Sequence, residues 1–278
     1  MGHSVTETVC VRGLNIEVVR HGSGPSLMFL HPHLGLWKSH PFIDALSESF
    51  SVCAPSHPGF GASAVSANIT SVDDLSYFYL DLLEQWDARD VLLVGASLGG
   101  WIALAIAIKD CSRLANIVLI DSAGVHFGMP LDEDIADIFS MSEQEFASRA
   151  FSDAGVGKRE FGTMTDAELL LSARNREAAA RYGWMPCLYD PRLKQNLHRV
   201  HSNALVLWGE NDRIASVDYG RQLSNALPQA VFESIPAAGH FPHIEKPRET
   251  AQRIITFAAS AKRHALSPHE RLMTSASQ

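Results

Sequence analysis

Gly95-Ala96-Ser97-Leu98-Gly99 sets a serine between two glycines, directly after the apolar run Val91-Leu92-Leu93-Val94 and just before the apolar stretch Trp101 to Ile108. At ordinary glycine and serine usage a G-x-S-x-G pattern turns up by chance in about one chain in ten of this length, so its context carries the argument. Small flanks let a strand turn sharply into a helix and keep neighbouring side chains clear of the serine. Its hydroxyl is then presented at the C-terminal edge of a sheet, near the positive end of the helix. A serine hydroxyl is a poor nucleophile until a base takes its proton, and that base must itself be oriented. Downstream, Leu205-Val206-Leu207-Trp208 runs into Gly209-Glu210-Asn211-Asp212, which places acids just past a strand. Ile235-Pro236-Ala237-Ala238-Gly239-His240 places a histidine in a small-residue turn ahead of Pro247, where a last helix opens. Ser97, Asp212 and His240 thus supply a nucleophile, an orienting acid and a base in chain order. Glu210 is a rival for the acid, and His243 is a rival base or a brace for the loop. His31-Pro32-His33 looks like a metal pair, but no third ligand stands at a recognisable spacing, and no metal is expected.

These residues act together only if a sheet brings their loops to one edge. Short apolar runs separated by helical patterns predict a mostly parallel sheet covered on both faces. Strands are expected at Glu7 to Val11, Leu14 to Arg20, Ser26 to His31, Phe50 to Ala54, Val91 to Gly95, Ala115 to Ile120, Ala204 to Trp208 and Val231 to Ile235. The second alternates apolar and polar residues, as an antiparallel or edge strand does, whereas Leu27-Met28-Phe29-Leu30 shows no alternation and reads as buried on both faces. The uncharged run from Val91 to Ile108 approaches the length of a membrane span, yet Gly95, Gly99 and Gly100 divide it into strand, turn and helix. Between Asp121 and Ala204 about 80 residues intervene where a crossover needs one helix, so something is inserted. Helices are expected there at Asp132 to Phe139, Ser142 to Phe151, Thr165 to Tyr182 and Pro191 to Val200, two of them opened by Ser142-x-x-Glu145 and Thr165-x-x-Glu168. The expected division is a core of residues 1–126 and 199–265, a helical cap of 127–198 and a frayed tail of 266–278.

Composition narrows the class. The 278 residues are 46% hydrophobic and 19% charged, with 23 Lys and Arg against 31 Asp and Glu, a formal charge of −8. An acidic chain without a Lys/Arg-rich run offers no footprint for a phosphate backbone, so nucleic acid is excluded as a partner. The four cysteines, Cys10, Cys53, Cys111 and Cys187, are scattered, and no charged n-region with an apolar h-region opens the chain. Both features fit a reducing cytoplasm, with no membrane partner. A homodimer is left open.

The segments Leu30-His31-Pro32-His33, His57-Pro58-Gly59-Phe60-Gly61, the serine turn, Gly209-Glu210-Asn211-Asp212-Arg213 and Gly239-His240-Phe241-Pro242-His243-Ile244-Glu245-Lys246-Pro247 together resemble the α/β-hydrolase superfamily. Within it the chain is similar to the lidded group of proline iminopeptidases, meta-cleavage C–C hydrolases, epoxide hydrolases and haloalkane dehalogenases. The resemblance implies an α/β fold with eight strands and a helical cap inserted after the sixth. It implies catalysis by Ser97, Asp212 and His240, with an oxyanion hole from the amides of Leu98 and His33. Pro32 stands where the usual turn has glycine, which leaves Leu34 as a second candidate donor. Pocket walls are expected from Leu34, Trp37, Trp184 and Phe241. Serine at the elbow disfavours the dehalogenase and epoxide hydrolase members, which use aspartate. Meta-cleavage hydrolases often carry Asn before the serine and Trp after the histidine, whereas this chain has Ala96 and Phe241. Iminopeptidases hold a substrate amine with acidic cap residues, for which Asp132, Glu133, Asp134 and Asp137 are candidates. The expectation is a cofactor-independent serine hydrolase acting on a carboxylic ester, lactone or thioester of a small, largely apolar molecule. A C–C hydrolase, or a receptor or lyase on the same scaffold, is the alternative.

Overall fold

The computed structural model describes residues 4–129 and 132–265, with side chains through residue 261, so the tail expected at 266–278 lies outside the described residues. One sheet contains β1 (Val5–Val11), β2 (Leu14–His21), β3 (Ser26–Leu30), β4 (Ser51–Pro55), β5 (Val91–Ala96), β6 (Leu114–Ile120), β7 (Asn203–Gly209) and β8 (Ala230–Ile235). Their spatial order is β1-β2-β4-β3-β5-β6-β7-β8. β2 runs antiparallel to both β1 and β4, and every pairing from β4 to β8 is parallel. All eight expected strands are present, with ends within two residues. The central ones are legible because a parallel strand covered on both faces must be apolar at every position; Leu27 to Leu30 and Val91 to Val94 are buried throughout.

The helices are α1 (His40–Ser47), α2 (Val72–Gln85), α3 (Leu98–Lys109), α4 (Glu143–Ala150), α5 (Ala154–Gly157), α6 (Asp166–Gly183), α7 (Leu193–Asn196), α8 (Val217–Ala226), α9 (Pro242–Glu245) and α10 (Pro247–Ala265). One face of the sheet buries Leu82, Leu83, Ile102 and Ile106 of α2 and α3. The other buries Phe42 and Leu46 of α1 with Ile254 of α10. α3 is buried on every side from Leu98 to Ala107, which explains its uniformly apolar sequence. No described helix is long and apolar enough to cross a membrane.

Helices α4 to α7 all lie between β6 and β7. Ser142 and Thr165 cap α4 and α6 as their spacing predicts, accepting from the amides of Glu145 and Glu168. Two expectations need correction. Asp132 to Phe139 forms no helix, because the Asp132 and Asp134 carboxylates accept from the upstream amides of Met129, Phe127 and Gly128 and Ile135 bridges to Ala215, which fixes an irregular loop. Pro191 to Val200 holds only the single turn α7 and a 3₁₀ turn at Leu197–Arg199.

Candidate active site

Three loops, after β5, β7 and β8, leave the C-terminal edge of the parallel strands and converge. After β5 the chain turns at Ser97 with φ 50° and ψ −112°, a sparsely populated backbone for serine. The flanking glycines permit the turn: a Cβ at Gly95 would strike the Gly99 carbonyl, and one at Gly99 would strike the carbonyl of Leu30 at the end of β3. After β7, Asp212 Oδ1 accepts from the amides of Ile214 (2.8 Å) and Ala215 (3.1 Å). Its Oδ2 accepts from His240 Nδ1 at 2.8 Å. That bond holds the imidazole as the Nδ1–H tautomer, which leaves Nε2 free to accept from Ser97 Oγ at 2.9 Å. The site is dry: Ser97 and His240 are each 2% exposed. This chain of hydrogen bonds can draw a proton off the serine and hold it on an oriented base.

The rival assignments lie elsewhere. Glu210 is exposed and accepts from Ser234 Oγ at 2.8 Å. His243 is buried among Phe29, Phe42 and Phe241, away from Ser97, and burial pushes its imidazole down to about 3. His31 and His33 do not share a ligand position. His31 Nδ1 donates to Pro32 O (2.7 Å), and its Nε2 accepts from the His57 amide (2.9 Å). His57 Nε2 donates to His31 O (2.9 Å), while its Nδ1 accepts from Tyr79 Oη (2.5 Å). Every ring nitrogen of this pair has a partner in the neutral state, and a proton added at His31 Nε2 would meet the His57 N–H. Burial accordingly holds His31 near 4 and His57 well below the ordinary imidazole range. The network anchors the turn that carries His33. Among the described residues, no acceptor meets the amide of His33 or of Leu98, the two expected to face an oxyanion.

A cleft of about 730 Å³ opens between the core and the segment joining β6 to β7; it meets the site at the turn of His33 and Leu34, and Ser97 and His240 are not among its walls. Leu34, Trp37 and His33 line it. Trp184 does not. It caps the C-terminus of α6 and points outward, 62% exposed. Phe241 is also not a wall; fully buried, it forms a layer beneath two residues that do line the cleft, with ring centroids 5.7 Å from His33 and 6.2 Å from Phe146. The remaining walls come largely from the inserted segment, including Ile138, Phe139, Phe146 and Leu171, with Glu143 held by a forked contact from Arg159 (2.6 and 2.7 Å). Asp132, Glu133, Asp134 and Asp137 line a separate cavity of about 160 Å³, so they do not face a substrate in this cleft.

Two residues escaped the sequence reading. Glu245 accepts from the amides of Ser152 (2.8 Å) and Asp153 (3.1 Å) with one oxygen and from Gly239 (2.6 Å) with the other, tying the inserted segment to the loop that carries His240. Its place five residues after His240 was the available signal. Asp121, directly after β6, is fully buried next to Asp212. An acid just past an apolar strand was visible in the sequence, but its burial is a tertiary fact.

The sequence pattern of the Alpha/beta hydrolase family matches residues 21–253. A 2-hydroxymuconate semialdehyde hydrolase from a Pseudomonas species is 26% identical over 274 residues, covering 93% of this chain and 95% of the relative. A pimeloyl-[acyl-carrier protein] methyl ester esterase from Nitrosomonas europaea is 24% identical over 251 residues, covering 84% and 96%. Among solved structures, a bacterial membrane phospholipase A superposes with a TM-score of 0.75 at 24% identity, covering 93% of this chain and 87% of that one. With a family match over most of its length and the matching sheet, helices and strand-edge loops, the chain is a hydrolase of the alpha/beta hydrolase family.

Proposed function

We propose that the protein is a serine hydrolase that cleaves a carboxylic ester of a small, largely apolar substrate through an acyl-enzyme, without a cofactor. The observation that carries this reading is the hydrogen-bonded relay from Ser97 Oγ through His240 to Asp212, at 2.9 and 2.8 Å, on a strained turn. Ser97 attacks the carbonyl carbon as His240 Nε2 takes its proton. The imidazolium then protonates the departing alcohol, and the same base activates the water that releases the acid. Asp212 fixes the tautomer and stabilises the imidazolium. The unpartnered amides of Leu98 and His33 receive the oxyanion. Residues 127–198 act as a cap: they supply the apolar far walls of the cleft, and their contacts with the His240 loop exclude water. A lactone or thioester would meet the same groups.

A relative that is an ester hydrolase supports the ester reading. Hydrolysis of a C–C bond is the second reading, supported by the similarity to a semialdehyde hydrolase; Ala96 before the serine and Phe241 after the histidine weigh against it. The test is turnover of a short p-nitrophenyl ester with labelling by a fluorophosphonate. The wild type is expected to do both, and Ser97→Ala neither, with a loss of at least about 10³ in kcat. Undiminished hydrolysis by Ser97→Ala overturns the assignment, and a serine that never labels favours a non-hydrolytic receptor.

A further inference from the structure

Asp121 lies beside the relay without belonging to it. It is fully buried, with φ 42° immediately after β6. Its main-chain N–H donates to Leu207 O (3.0 Å), and its Oδ1 accepts from the Gly209 amide (2.9 Å). Its other oxygen, Oδ2, meets no donor group in the ordinary ionised state. One oxygen each of Asp121 and Asp212 and a ring nitrogen of His240 lie within 4.8 Å of one another. The titratable groups facing Asp121 are therefore Asp212 after β7, His240 after β8 and Glu245 in α9. No Lys or Arg forms an ion pair with it among the described residues.

Two buried carboxylates this close, without a cation between them, cannot both be ionised. The donors around them decide which keeps the proton. Asp212 accepts from three N–H groups, those of Ile214, Ala215 and His240, which stabilise its charge. Asp121 accepts from one. Burial and the Asp212 charge push the Asp121 carboxyl well above the usual range. Resting on the serine hydrolase reading, we propose that Asp121 is a neutral carboxylic acid whose O–H donates to the Asp212 carboxylate and aims it at His240 Nδ1. Asp121 is then a positioning residue: it gives the orphaned oxygen a role and supports the acid that orients the base, without adding a second negative charge to the site.

The kinetic test compares two variants in the full chain. Asp121→Asn keeps an acceptor for Gly209 and an N–H donor for Asp212, so the acid limb of the kcat/KM profile is expected to stay within about 0.3 pH unit. Asp121→Leu removes both bonds, and kcat should fall about tenfold at unchanged KM, with no further loss in an Asp212→Ala background. If Asp121 is ionised instead, Asp121→Asn deletes a charge close to His240 and moves the acid limb down by about a unit or more, which overturns the proposal. A folded Asp121→Leu with unreduced kcat also overturns it. Infrared difference spectra of wild type against Asp121→Asn at pH 7 provide a readout independent of activity and of whether the chain cleaves esters. The carbonyl stretch of a protonated carboxylic acid is expected in the wild type alone; carboxylate bands in its place refute the assignment.

Discussion

Ser97 keeps its unusual backbone because Gly95 and Gly99, two residues to either side, carry no side chains to block the turn. The helix after it begins under the end of β3, so the Gly99 main chain lies against the Leu30 carbonyl and any Cβ there must displace a strand. Gly99→Ala is therefore expected to cost about 2 kcal/mol or more of stability, measured by urea unfolding, and to lower kcat in the folded fraction by at least about tenfold. A variant as stable and active as the wild type would show that the turn does not depend on this close approach. Trp184 tests the opposite end of the scale. Because it faces outward, Trp184→Ala should leave KM for a p-nitrophenyl ester within about twofold, while Trp37→Ala, in the cleft wall, should raise it by severalfold. Equal effects on KM from the two would return Trp184 to the pocket.

At the scale of elements, the strands and the three converging loops were legible, and the contacts that fasten the inserted segment were not. Short apolar runs bounded by turn residues read as strands covered on both faces, and polar residues just past the ends of parallel strands gather at one sheet edge. That logic places Ser97, Asp212 and His240 without any knowledge of packing. Trp184 was misread because helix periodicity does not say which way the residue after the last turn of α6 points. Asp132 and Asp134 were misread because an acid that would open a helix can equally hold upstream amides in a loop. Glu245 illustrates the same limit: its three amide partners come from two segments far apart in sequence. Glu245→Ala orphans all three and is expected to destabilise the fold by about 1–3 kcal/mol, with a lower kcat because the main chain of His240, bonded to Ala150 O at 2.8 Å, loses its neighbouring clasp. Hydrogen exchange at Gly239 and Ser152 is the measurement; protection equal to that of the wild type would refute the clasp.

Over the whole molecule, the two layers under the sheet bury histidines that must stay neutral, and this sets the response to acid. His31 and His57 lie on one side beneath the oxyanion turn; His243 lies on the other, among Phe29 and Phe42. Burial holds His31 near 4, His243 near 3 and His57 well below the ordinary value of 6.5. In the unfolded chain all three take up a proton as the pH falls through about 6.5, while in the fold they do not. Stability is thus fully present above about pH 6.5 and declines as the pH drops toward 4, by about 1.4 kcal/mol per unit for each histidine. Asp121, raised well above its ordinary value, works in the other direction, because the fold holds a proton that the unfolded chain releases above about 4. His33, pushed well below its ordinary value by burial and by the charges of His240, Arg159 and Arg176, adds a fourth, so four groups stand against one and the decline dominates, at roughly 4 kcal/mol per unit around pH 5. His243 isolates one share of it, since neither of its ring nitrogens meets a partner among the described residues. His243→Phe removes a buried polar ring and should raise stability at pH 7.5 by about 1 kcal/mol while reducing the loss between pH 7.5 and 5 by the share of one proton. Urea unfolding at the two pH values reads both effects, and an undiminished acid loss in His243→Phe would mean that this histidine is not kept neutral by the fold.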